Sequence, residues 1–269
     1  MCIRDRHDTI SRVAHSPTCR EALMRRLLLV LPFALALAPL VRADEASDVL
    51  DRALRAHAKD PADLKKFRVH TMKAKGLSKH GPEPVPATWE VAAVWPGDMR
   101  LTWEFGAGDR KTTFTVSTSG DRGWCGGTNS PTEELGIEKL NDVRTDAYAI
   151  WVATLTTLKD AETKLALAGR AKVNDIPVLG VKVSRRPWPD ITLYFDEKSG
   201  LLRKMAYRSR ENGVFLNKEF TYDGHKDIGG LVVPTKERMA IQGREVAEWT
   251  EIEFAFPDKL DPKIFEKPR

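Results

Sequence analysis

Cys125 stands in Gly123-Trp124-Cys125-Gly126-Gly127, a glycine-rich stretch where an exposed thiol could serve as a nucleophile. A nucleophile needs a base within reach. The histidines downstream of the leader, His57, His70, His80 and His225, are all isolated in sequence. No G-x-S-x-G elbow and no H-E-x-x-H pair occurs. No His/Cys pair has the spacing of metal ligands either. Cys125 therefore reads as a small packed or strand-end residue. Neither a catalytic residue, nor a metal site, nor a cofactor is expected.

The remaining chemistry is that of apolar contact. Trp89, Trp95, Trp103, Phe105, Phe114, Trp124 and Trp151 form a candidate aromatic wall. With Val91, Leu101 and Leu155, the set Trp89, Trp95, Trp103, Phe114 and Trp151 would line an apolar cavity able to hold an acyl chain. The alternative is ordinary core between sheet and helices, since buried aromatics usually just pack. Arg185-Arg186-Pro187-Trp188-Pro189 is the most unusual surface segment. Arg185, Arg186 and Trp188 could touch anionic headgroups or a membrane-protein partner of the envelope. The competing reading is a stiff hairpin link whose prolines block edge pairing.

The elements that must position these groups show two periodicities. Asp44 to Ala58 reads as an amphipathic helix, with Val49, Leu50, Ala53, Leu54 and His57 at helical spacing. Asp60-Pro61-Ala62-Asp63 starts a short second turn. Then the period becomes two. Ala87, Trp89, Val91, Ala93 and Trp95 share one strand face, and Met99, Leu101, Trp103 and Phe105 share another. Strands are expected at Phe67–Ser78, Pro86–Trp95, Met99–Phe105 and Lys111–Ser119. Ser130-Pro131-Thr132-Glu133 has the form of a capping box, and a second helix is expected from Asn141 to Lys159.

After Asp160 strands return: Glu162–Val173, Ile176–Arg185, Asp190–Asp196, Leu201–Arg208, Val214–Tyr222, Leu231–Ile241 and Glu245–Phe256. Short turns such as Asn174-Asp175, Asp223-Gly224 and Gln242-Gly243 make consecutive strands antiparallel neighbours. The fold class is α+β, mainly antiparallel β. A large curved sheet forms an open half-barrel, with an N-terminal helix and a helical insert as its lid.

Met24 to Ala43 has the grammar of a secretory signal. Arg25 and Arg26 precede an apolar run from Leu27 to Leu40, and Val41-Arg42-Ala43 is a small-x-small cleavage site before Asp44. The run is short and interrupted by Pro32 and Pro39, which disfavours a bilayer span. Residues 1–23 lie upstream of a normal-looking start at Met24. They read as a genuine extension or, preferably, a mis-called start, and are set apart from the fold. Residues 44–269 form one domain of 226 residues. The chain has 43 Lys+Arg against 38 Asp+Glu, but residues 1–43 hold seven of those arginines and three of the acids. The remainder is nearly neutral, with no clustered basic stripe, so no nucleic-acid partner is expected. One cysteine beyond the leader excludes an internal disulfide.

The C-terminal third carries a resemblance. Phe220-Thr221-Tyr222-Asp223-Gly224, Ile228-Gly229-Gly230-Leu231-Val232-Val233-Pro234 and the ending Asp258 to Pro268 resemble the LolA-like superfamily of periplasmic lipoprotein carriers. They are most similar to its outer-membrane lipoprotein-sorting members. Gly123-Trp124 before the helical insert matches in position. The resemblance implies a half-barrel that shelters acyl chains under a helical lid, without catalysis, in a periplasmic monomer. The family's lid-locking arginine aligns with no residue of this sequence. Lipid or lipoprotein acyl chains are the expected partners. A protein-interaction module on the same fold, with no lipid cargo, is the alternative.

Overall fold

Alternation of apolar and polar residues dominates the computed structural model, which describes residues 38–211 and 213–268. The helix α1 (Ala38–His57) leads into a 3-10 turn at Pro61–Arg68, capped by Asp60 through its bond to the Ala62 amide. Six strands follow: β1 (Val69–Ser78), β2 (Val85–Val94), β3 (Asp98–Phe105), β4 (Thr112–Ser119), β5 (Arg122–Gly127) and β6 (Ser130–Glu134). Then comes α2 (Ile137–Ala153). The rest is strand: β7 (Lys164–Val173), β8 (Ile176–Ser184), β9 (Ile191–Asp196), β10 (Leu202–Glu211), β11 (Val214–Asp223), β12 (Lys226–Ile228), β13 (Leu231–Val233), β14 (Lys236–Ile241) and β15 (Arg244–Ala255).

Thirteen of these strands make one open antiparallel sheet, in the order β6-β5-β4-β3-β2-β1-β15-β14-β11-β10-β9-β8-β7. It has two meandering wings. The first, β1 to β6, and the second, β7 to β15, meet where β1 pairs with β15. β12 and β13 form a separate small ribbon, tied to the end of α1 by the Ala58–Leu231 bridge. The seam needs Gly76. A bulge falls between Lys75 and Gly76, and a Cβ there would sit 1.9 Å from the Glu248 carbonyl oxygen.

The helix α2 leaves β6 at one sheet edge and leads to β7 at the other, so it must cross the sheet. It packs on β9 and β10, while α1 packs on β7, β8 and β13. Both helices contribute to one hydrophobic core with β1, β2, β8 to β11 and β15. The opposite face of β3 and β4 is covered by the C-terminal segment. There Asp261 and Pro262 start a 3-10 turn, Phe265 is buried, and Ser117 donates to the Phe265 carbonyl at 2.8 Å.

Three expectations need correction. Ser130-Pro131-Thr132-Glu133 is not a helix cap but β6, an edge strand where proline costs no needed donor. α2 is one helix, starting at Ile137 after Gly136, which supplies no side-chain cap. It stops at Ala153 rather than Lys159, because Leu155 turns left-handed with φ of 65°. The expected strand Leu231–Ile241 is two strands, β13 and β14, broken at Pro234-Thr235. The expected signal segment lies outside the described residues as far as Leu37, and α1 begins at Ala38.

Gly76→Ala is expected to destabilise the domain by about 3 kcal/mol or more, since backbone must move to admit the methyl group. Urea denaturation of the two proteins measures this. A loss below about 0.5 kcal/mol would show that the seam accepts a side chain there.

Candidate functional site

Between α2 and the sheet lies a cavity of about 490 Å³. Its floor is aromatic because Trp89, Trp103 and Trp249 come from β2, β3 and β15 in matching phase. Trp89 and Trp249 stand 5.8 Å apart by ring centroid, and Trp103 and Trp249 5.9 Å. Leu101, Met99, Val116, Met239 and Phe220 continue the apolar lining, and Val143 and Ile150 of α2 roof it. The indole N–H groups of all three tryptophans have no partner. Toward the 79–84 loop the cavity widens into an outer groove, with Trp103, Phe114, His80 and Cys125 bordering both spaces. Phe114 is 44% exposed at this mouth. On the inner side Trp89, Ile150 and Phe220 also line a second, smaller cavity of about 90 Å³ near the end of α1.

No protein-family model matches the sequence, and no curated protein matches it either. Solved structures do. An outer membrane lipoprotein-sorting protein domain from Vibrio parahaemolyticus superposes with a TM-score of 0.52 at 12% identity, covering 83% of this chain and 97% of that one. A DUF1329 family protein from Desulfovibrio piger gives 0.51 at 14% identity, covering 82% and 97%. A LolA superfamily protein from Nitrosomonas europaea gives 0.49 at 15% identity, covering 82% and 97%. The chain has the lipoprotein-sorting fold.

On that fold, one polar network ties the roof to the sheet. Lys218 of β11, only 3% exposed, donates to Asp146 Oδ2 of α2 at 2.7 Å and also pairs with Glu211. Tyr207 of β10 donates to Asp146 Oδ1 at 3.0 Å. Burial pushes the Asp146 carboxyl above its usual range, and Lys218 opposes that. Burial acts to lower the Lys218 pKa, but Asp146 and Glu211 outweigh it and hold the ammonium charged. Removing either partner would leave a charge in a poorly solvated place.

The candidate residues fall into separate groups. Trp89, Val91, Leu101, Trp103 and Phe114 come together on the two cavities. Trp95 and Trp151 do not line them. They stack on each other at 6.1 Å beside a different surface cleft, on another face of α2. Leu155 is buried just past the C-terminal end of α2. Arg185 is engaged by Asp160 and Glu162, both at 2.8 Å, and lies over the Trp151 ring. Trp188 stacks on Tyr148 at 5.0 Å, so of the three only Arg186 is well exposed. Cys125 is half-buried and free on β5, and the ring of His80 packs edge-on against Trp103. Among the described residues no cluster of three or more His, Cys, Asp or Glu side chains could hold a metal ion.

Sequence reasoning passed over Glu237. It sits on β14 in phase with Met239, which is the one signal that points it inward, and is 6% exposed on the smaller cavity. Burial raises its pKa from 4.5 to about 8. His57 and His225 on the same cavity are lowered by burial to about 4.

These shifts fix a sign. Between about 4.5 and 8 the unfolded chain gives up the Glu237 proton while the folded one keeps it. The stability this group contributes is therefore complete below the unfolded value and is lost as pH rises to the folded one. The histidines work the other way and lose stability as pH falls from 6.5 toward 4. Glu237→Gln preserves the neutral shape, and the histidine contribution cancels between variant and parent. The variant's stability advantage should widen with pH across that window by up to ~1.4 kcal/mol per pH unit. Urea denaturation at stepped pH measures it, and a pH-independent gap would mean that the folded protein holds Glu237 ionised.

Proposed function

We propose that this chain is an exported, non-catalytic binder of acyl chains, taking lipid or lipoprotein cargo into the cavity beneath α2 and carrying it in the periplasm. The observation that carries the reading is the cavity of about 490 Å³ with its tryptophan floor. That volume lies within the ~300–1,000 Å³ of typical ligand pockets. Each buried methylene contributes ~0.8 kcal/mol, so a chain can be held without polar chemistry at its tail. The name of the Vibrio domain of the same fold, a lipoprotein-sorting protein domain, supports the reading, as does the signal-like leader at 24–43. No helix among the described residues is long and apolar enough to cross a membrane.

In this reading α2 is the lid. It joins the sheet through side chains and not through backbone ladders, so it can lift without breaking a strand pair. The bonds of Asp146 to Lys218 and Tyr207 are the polar contacts it gives up, besides the apolar packing of its buried face.

Three experiments follow. Leu101→Glu and Trp103→Glu place charge on half-buried cavity walls and should weaken binding of a fluorescent fatty-acyl probe by roughly tenfold or more, ~1.4 kcal/mol, with unchanged circular dichroism. Full binding by both folded variants sinks the cavity assignment. Native mass spectrometry of the periplasmic protein should show lipid that departs on denaturation. A clean apo mass with no uptake of added lipid would turn the search to protein partners. For the lid, Asp146→Asn is expected to speed probe uptake while costing about 1–3 kcal/mol of stability. Unchanged stopped-flow rates would remove α2 from the gating step.

A further inference from the structure

The smaller cavity has a chemistry of its own. Phe67, Trp89, Phe220 and Tyr222 surround it, together with Glu237 and His225. Glu237 Oε1 and His225 Nδ1 are buried without any hydrogen-bond partner. The tautomer of His225 follows from its other nitrogen. Nε2 lies 3.1 Å from the Leu202 carbonyl and must donate, which leaves Nδ1 an acceptor. His57 is already spent. Its Nδ1 donates to the Ala53 carbonyl at 2.8 Å, and its Nε2 accepts from the Leu202 amide at 3.2 Å.

Nothing in the wall supplies a positive charge to Glu237. The other titratable groups on this cavity are His57 from α1, His70 from β1, Tyr222 from β11 and His225 from the loop after it. Burial lowers the pKa of all three histidines, so they are neutral near pH 7. Burial also raises the Tyr222 hydroxyl well above its usual value. The unpaired groups thus offer lone pairs, and the rings offer π density; both attract a cation. An anion would meet a carboxyl and an imidazole lone pair.

We propose that this inner cavity receives an ammonium group, with Glu237 as its counter-ion and His225 Nδ1 as an acceptor. The inference rests on the acyl-binding reading. The ammonium is the head of an amphiphile whose chain lies in the larger cavity, which the two spaces allow by sharing Trp89, Ile150 and Phe220. Glu237 is protonated while the cavity is empty and gives its proton to solvent as the cation enters. The buried carboxylate then has the charge partner that the protein alone withholds.

The test is isothermal titration calorimetry near neutral pH with octylammonium, octanol and octanoate, plus methylammonium as a tail-free probe. The parent protein should bind the octyl cation at least tenfold more tightly than octanol, with octanoate weakest. Proton release should make the heat depend on the buffer. Glu237→Gln should keep octanol binding and lose both the preference and the release. Equal binding of the three octyl probes, or a preference that survives Glu237→Gln, overturns the ammonium assignment and leaves the acyl reading standing. If no octyl probe binds, the acyl reading falls. In that case methylammonium binding to the parent and not to Glu237→Gln upholds the cation site, and its absence overturns it.

Discussion

The pairing of β1 with β15 is the constraint on which the rest depends. It is the one ladder between the two wings among the described residues, and it joins strands from opposite ends of the domain. Without it there would be two separate meanders. With it the sheet is continuous, and its free edges, β6 and β7, lie at opposite ends of thirteen strands. These edges are also consecutive in sequence. The chain between them has no short route, so α2 is stretched across the sheet and becomes a roof. The cavity is thus a consequence of topology before it is a matter of side chains. Gly76 is where this constraint reaches a single residue, because the bulged backbone of β1 comes too close to Glu248 for any Cβ.

The edges so created are guarded. β7 carries Lys164, Arg170 and Lys172, and β6 is short and contains Pro131. Charge and missing donors both discourage further strands from adding on.

Much of this was legible in the sequence, and the misses share a cause. Period-two alternation in Ala87 to Trp95 and Met99 to Phe105 located β2 and β3, although only β2 is dry on one face and wetter on the other, while β3 past the buried Met99 is half-buried on both. The mainly antiparallel open sheet followed from the turn residues. The ends of α2 were missed because Gly136 offers no side-chain cap, while Ser130 to Glu133 mimics one. Pairing with β5 made that stretch a strand, and pairing is nonlocal information. The lid tie was invisible for the same reason. Asp146 and Lys218 lie 72 residues apart, and neither is unusual locally. In the structure a lysine from the sheet and an aspartate from α2 tie the helix to the sheet. Glu237 was masked by its neighbours. Lys236-Glu237-Arg238 looks like a solvated run, and only its phase with Met239 shows that the middle charge points inward.

That the cavity persists needs a physical reason, since proteins normally fill their interiors to crystal-like density. The answer lies in which residues form its floor. Trp89, Trp103 and Trp249 rest against one another, and large rings with few torsions cannot spread to fill space as leucine or methionine would. The roof cannot sink either. Asp146 must reach Lys218 and Tyr207 at bonding distance, and those bonds set the height of α2 above β10 and β11. An apolar roof would slide down until it touched the floor. A roof propped by a part-buried ion pair stops where the charges are satisfied. The same pair that could release the lid is therefore what keeps the space beneath it open.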